Sequence, residues 1–130
     1  LEYFKLEYQN GRTPNPCVLC NQKIKFGALL EGVKNAGIAF DFFATGHYAK
    51  VEFDGERGRY LLKKGADLKK DQSYFLSLLK QPQLAMVHFP LAELTKPQIR
   101  EIAKSRKLPA FNKTESQDFI PAIIRNYLTR

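Results

Sequence analysis

The stretch from Asn21 to Tyr48, NQKIKFGALLEGVKNAGIAFDFFATGHY, narrows the fold more than any other part of the chain. Ile24, Ala28, Leu29, Leu30 and Val33 recur at helical spacing between Asn21 and Ala36. Gly37 suits the residue just past a helix end, where the backbone turns left-handed. Ile38 to Ala44, IAFDFFA, follows at once and reads as a buried strand opening into the loop Thr45-Gly46-His47-Tyr48. Helix, strand and glycine-containing loop in that order predict an α/β fold built on a parallel sheet.

The remaining elements fit around that unit. Ala49–Phe53 and Arg59–Leu62 flank DGERG and predict a β-hairpin excursion over 49–62. Tyr74, Phe75, Leu76, Leu78 and Leu79 predict a helix over 72–80 with a broad apolar side. A further helix is expected over 96–107: Thr95 and Gln98 match a capping box, Pro97 falls in the first turn, and Lys104, Arg106 and Lys107 suit the last. LEYFKLEY at the start reads as the end of a helix or strand, Gly11–Pro16 as a turn-rich loop, and the run from Pro121 as a helix stub.

Charge bears on partners. The chain has 21 Lys+Arg against 13 Asp+Glu, a formal +8, which favours a polyanion such as nucleic acid; a basic surface kept for solubility is the bland alternative. No apolar run approaches the roughly 18 residues needed to cross a bilayer, and no signal-peptide pattern opens the chain. Two cysteines, Cys17 and Cys20, then point to a reducing compartment, the cytoplasm, where a C-x-x-C is more often metal-binding or catalytic than a disulfide.

As a metal clip the pair is short of donors. Zinc takes four ligands, and only His47 and His88 remain, in dissimilar surroundings. As chemistry, Cys20 is the better placed, just ahead of the 21–36 helix with Lys23 and Lys25 nearby. A positive local field favours the thiolate, the reactive form. A small buried hydrophobe is the competing reading of such a cysteine. Gly46 permits close approach of a phosphate or nucleotide, though most such glycines only make turns. Lys69-Lys70-Asp71-Gln72 reads equally as a solvated helix start or as a phosphate-contacting segment.

Five segments, GRTPNPCVLCNQKIKFG, ATGHYAKV, LKKDQSYFLSLL, FPLAELTKPQIREIAK and KTESQDF, together closely resemble the tRNA-specific 2-thiouridylases of the MnmA type, in the family's order and over nearly the whole chain. The resemblance implies a Rossmann-like domain of the adenine nucleotide alpha hydrolase, or ATP-pyrophosphatase, type with flanking helices. It implies adenylation of the C2 oxygen of a wobble uridine by ATP with Mg2+, then displacement of AMP by a persulfide sulfur. On that basis Cys20 matches the catalytic nucleophile, and Asn15, Pro16 and Cys17 the loop touching the target base. Gly46 matches an ATP-contacting glycine, His47 a residue facing tRNA, and Lys70, Asp71 and Gln72 a tRNA-contacting segment. The implied partners are tRNA and a protein that delivers the persulfide.

Three departures qualify the resemblance. The family's Ser-Gly-Gly-type pyrophosphate loop belongs upstream, and β-rich domains are expected downstream. The chain, which opens on Leu1, therefore reads as a middle fragment unable to turn over alone. Residues 1–108 are expected to be the C-terminal part of the catalytic domain, and 109–130 the second-motif loop and start of a linker. The expected sheet is incomplete, so an edge is left unpaired. Cys17 stands where the family usually has Asp, and no cysteine follows Ser116-Gln117-Asp118 where a second catalytic one is usual. Cys17 can then serve as the second thiol; an iron–sulfur cluster on the pair would need further ligands. The alternative functions are a non-catalytic tRNA-binding relative and, disfavoured by its ligand count, a small zinc-binding nucleic-acid module.

Overall fold

The computed structural model describes residues 2–109, and three of its helices end on a residue in the left-handed region. Helix α1 (Glu2–Gln9) closes on Gly11 at φ 69°. The Gly11 N–H donates to the Tyr8 carbonyl at 3.0 Å and the Arg12 N–H to the Glu7 carbonyl at 2.9 Å. This pair of bonds is the Schellman closure, with glycine at its left-handed position. The same pair closes α3 (Leu29–Asn35) at Gly37, φ 74°, as its sequence predicts.

The 21–36 helix is longer and differently wound than its periodicity predicts. It starts at Pro16, with the Asn15 Oδ1 accepting from the Val18 N–H at 3.3 Å, so α2 (Pro16–Leu19) precedes Cys20. Asparagine at the N-cap followed by proline in the first turn is a strong start signal, because the cap accepts an orphan amide and proline forfeits none that is needed. From Cys20 to Ala28 the winding is π-helical and then runs into α3. A Cβ on Gly27 would stand 2.9 Å from the Gln22 carbonyl oxygen, so the glycine accommodates the wider turn. Gln83 supports it from outside: its Nε2 donates to the Gln22 carbonyl at 3.1 Å and the Phe26 carbonyl at 2.7 Å. Asn21, buried, donates to the Phe75 carbonyl at 3.1 Å.

The predicted strand Ile38–Ala44 shrinks to β1 (Phe43–Ala44), which pairs in parallel with β4 (Val87–His88). A parallel pair is no longer than its shorter member, and β4 stops at His88, one residue short of the turn that begins at Pro90. Ile38 and Phe42, expected inside, are 58% and 60% exposed. β2 (Ala49–Asp54) and β3 (Arg59–Lys64) are antiparallel, from Ala49 opposite Lys64 to Asp54 opposite Arg59. Asp54 Oδ1 accepts from the Glu56 and Arg57 N–H groups at 3.0 Å each, and Gly58 takes φ 61° to complete the turn.

The predicted 72–80 helix is a single 3-10 turn, Ser73–Leu76, followed by a short α4 (Gln81–Leu84). Lys80 is extended at ψ 164°, ahead of Pro82, and the Gln83 Oε1 accepts the Lys80 N–H at 2.9 Å, so a new helix begins there instead. Leu76 and Leu79 are both buried at the three-residue spacing of a 3-10 turn. Together with Phe26, Ala49, Leu84, Val87 and Phe89 they form the core. Gly65 lies tight against it: a Cβ there would meet the Ala92 oxygen and the Tyr48 carbonyl carbon, both at 3.2 Å.

All of that belongs to a compact unit from Leu1 to Lys96; a second unit begins at Pro97. α5 (Lys96–Ser105) closes on Lys107 at φ 51°, with the Leu108 N–H donating to the Ala103 carbonyl at 2.9 Å. Here a residue with a side chain fills a position that glycine would occupy without strain.

Candidate functional site

The helical rod from Pro16 to Asn35 carries both cysteines near its start. Cys17, exposed, is the second residue of α2, and Cys20, half-buried, opens the π-helical segment. The expectation that Cys20 stands just ahead of the helix is thereby corrected. The dipole field is strongest in the first turn, where Cys17 sits, and Cys20 is about one turn inside. Three residues apart on one helix, the two thiols share a face, with Cβ atoms about 5–6 Å apart by helical geometry.

Further along the same rod, Lys25 and Leu29 form one wall of an open cleft of about 460 Å3. Phe43, Thr45, Gly46, His47 and Gln72 form the rest, and no carboxylate is among them. The Thr45 N–H donates to the His88 carbonyl at 3.1 Å, which carries the loop straight on from β1. Gln72 then clamps the loop's far end on both sides of one residue. Its Oε1 accepts the Tyr48 N–H at 3.1 Å, and its own N–H donates to the Tyr48 carbonyl at 2.9 Å.

His47 is held tightly. Its Nδ1 lies 2.8 Å from the Thr45 hydroxyl, and its ring packs 5.9 Å from both Phe26 and Phe89. Burial, reinforced by the Lys25 charge, lowers its pKa to about 4. A histidine depressed from 6.5 stabilises the fold fully above the unfolded value, and that contribution is lost as the pH falls toward 4. Between those limits the unfolded chain binds the extra proton. The urea midpoint should therefore fall with pH across that window, and His47→Gln should remove much of the slope; an unchanged slope would contradict the buried, neutral assignment.

Of the residues expected at a site, Gly46, His47 and Gln72 meet in the cleft. Asn15, Pro16, Cys17, Cys20, Lys70 and Asp71 do not line it, and several have local duties. Asn15 caps α2, Pro16 starts it, and Asp71 Oδ2 accepts from the Ser73 hydroxyl at 2.7 Å. Ser116-Gln117-Asp118 and the run from Pro121 lie outside the described residues. Lys25 and Thr45 were not among the expected site residues. The signal for Thr45 is its place two before His47, and for Lys25 its place between apolar Ile24 and Phe26. Among the described residues no three His, Cys, Asp or Glu stand together, so a zinc ion or iron–sulfur cluster finds two thiolates and no third donor there.

Helices around a small parallel pair, with a glycine loop leaving the end of β1, fit a Rossmann-like α/β class, and the family match carries that assignment. The chain belongs to the tRNA methyl transferase HUP domain family, which matches residues 1–122. It is 55% identical over 119 residues to the tRNA-specific 2-thiouridylase MnmA of Endomicrobium trichonymphae, covering 92% of this chain and 33% of that protein. The MnmA of Moorella thermoacetica is 51% identical over 118 residues, 91% and 32% of the two chains. That of Desulforamulus reducens is 49% identical over 127 residues, 98% and 34%. The chain thus spans about a third of the length of these relatives. No helix among the described residues is long and apolar enough to cross a membrane.

Proposed function

We propose that the full-length protein is a tRNA 2-thiouridylase, with residues 1–108 forming the C-terminal part of an ATP-pyrophosphatase-like catalytic domain and 109–130 leading toward a further one. The observation that carries this reading is one helical rod holding both cysteines and a wall of a carboxylate-free cleft. The family's name speaks of methyl transfer and the relatives' names of thiolation. Two thiols on one helix face suit the second.

On this reading the uridine C2 oxygen attacks the α-phosphorus of ATP and pyrophosphate leaves. The outer sulfur of a cysteine persulfide then bonds to C2 as the C–O bond to AMP breaks. Attack of the second thiolate on the inner sulfur cleaves the S–S bond, leaves 2-thiouridine and joins the two cysteines in a disulfide. An external thiol reductant resets the pair. Cys20 is the nucleophile and Cys17 the second thiol. Asn15, Pro16 and Cys17 present the target base, and Lys70, Asp71 and Gln72 face tRNA beside His47. The described lining offers no carboxylate to the Mg2+ that accompanies ATP, and its Lys25 suits phosphate oxygens.

Gly46 gives this reading a sharp handle. A Cβ there would meet only the Leu91 Cδ1, at an ordinary 3.6 Å, and its φ is not positive, so the fold itself does not require glycine. Gly46→Ala should leave the unfolding free energy within about 0.5 kcal/mol of wild type while weakening ATP binding about tenfold or more. Equal ATP affinity would remove Gly46 from the nucleotide site. The reading as a whole is tested by nucleoside mass spectrometry of tRNA after incubation with the full-length protein, ATP and a persulfide donor. ATP-dependent 2-thiouridine is expected. tRNA binding without thiolation would point instead to a non-catalytic relative.

A further inference from the structure

We propose that Lys25 is a phosphate-binding residue of the cleft, seating a phosphoryl group beside Thr45 and Gly46. The inference rests on the nucleotide- and RNA-processing reading above and adds a residue to it. Lys25 is half-buried on the cleft wall, and its ammonium group makes no ion pair or hydrogen bond among the described residues. Lys50 pairs with Glu93 at 2.7 Å, Lys63 with Glu52 at 2.9 Å, and Lys34 reaches the Met86 sulfur at 3.6 Å, whereas Lys5, Lys23, Lys64 and Lys69 stand exposed in solvent away from the cleft; Lys25 is the half-buried lysine on its wall. An ammonium kept on a cleft wall with no carboxylate to meet it is matched to an anion from outside.

The neighbours complete the cradle. Gly46 keeps one side open to close approach, and the Thr45 hydroxyl and Gln72 carboxamide supply neutral polar groups. His47, neutral near pH 7, adds no charge, so Lys25 carries the whole formal charge of this wall. The Lys25 charge is also felt at the His47 ring, which puts the two groups on one local field. The position is fixed by the π-helical winding: Phe26, next in sequence, is buried in the core, and its carbonyl is held by Gln83. Phosphate can come from a nucleotide or from the RNA backbone, and the chemistry of recognition is the same for both.

The test uses the full-length protein as wild type, Lys25→Met and Lys25→Arg, each titrated with AMP, adenosine, inorganic pyrophosphate and tRNA. Lys25→Met is expected to weaken AMP and pyrophosphate binding about ten- to a hundredfold, to leave adenosine binding unchanged, and Lys25→Arg to recover most of the loss. If the phosphate belongs to RNA, the loss appears with tRNA instead, and the salt slope falls by about one. Equal affinity of Lys25→Met and wild type for pyrophosphate, AMP and tRNA overturns the proposal. Lys25-dependent pyrophosphate binding by a protein that does not recognise adenosine would uphold the phosphate site and sink the nucleotide reading.

Discussion

Replacing Cys20 by serine in the full-length protein is expected to lower 2-thiouridine formation by about a thousandfold or more, with tRNA affinity within twofold of wild type. An oxygen in that place neither carries a persulfide sulfur nor exchanges with one, so the step is removed rather than slowed. Cys17→Ser separates two versions of the chemistry. If Cys17 is the second thiol, its loss strands the product sulfur on Cys20 as a mixed disulfide with C2 of the base. Multiple turnover should then fall to the level of Cys20→Ser. The placement brings the pair within reach of the exchange, since the thiols share a helix face and both are free. Their helical Cβ separation of about 5–6 Å exceeds the usual 3.5–4.5 Å of a disulfide, so the first turn must loosen when the bond closes. That turn is capped only by Asn15, and its amides have few other obligations. Full activity in Cys17→Ser would eliminate the local pair, and full activity in Cys20→Ser would eliminate the nucleophile.

Local chemistry accounts for what could be read from residues alone. Gly37 announces the end of α3 because only a residue without a Cβ takes φ 74° at no cost, and DGERG announces a turn for the same reason at Gly58. Asn15-Pro16 carries an equally local signal, a helix start, that a reading of the prolines as loop residues passes over. The π-helical winding has no such local mark. Gly27 tolerates it, but the support comes from Gln83, far along the chain, so its cause is tertiary. The strand IAFDFFA fails for a related reason: its apolar content matches a buried strand, yet β4 offers it only two residues to pair with. At the site, ATGHY alone is too short to specify a nucleotide loop. The meeting of Gly46, His47 and Gln72 depends on the Gln72–Tyr48 clamp across 24 residues. Lys25 stands out only once the absence of a carboxylate around it is visible in three dimensions.

Phe26→Ala is the core substitution with the largest expected cost, about 3–5 kcal/mol, because the site has little freedom to collapse around the void. Phe26 is 2% exposed and meets Phe43 edge-on at 5.7 Å, Phe89 at 6.3 Å and the His47 ring at 5.9 Å. Its backbone is simultaneously bound by Gln83, so the ring cannot withdraw without disturbing the π-helical segment. That cost is comparable to much of the stability of an ordinary domain. Hydrogen exchange in the full-length protein reads it locally: amides from Asn21 to Leu29 and around β1 should lose protection by a factor of about a hundred or more. Phe26→Leu keeps most of the volume and should cost less than about 1.5 kcal/mol. Ile24→Ala, on the same segment but 60% exposed, should stay within about 0.5 kcal/mol. Because Lys25 and His47 both take their positions from this ring, nucleotide binding should weaken in Phe26→Ala and survive in Ile24→Ala. Equal protection in all three variants would mean that the core, and with it the cleft, is not organised around Phe26.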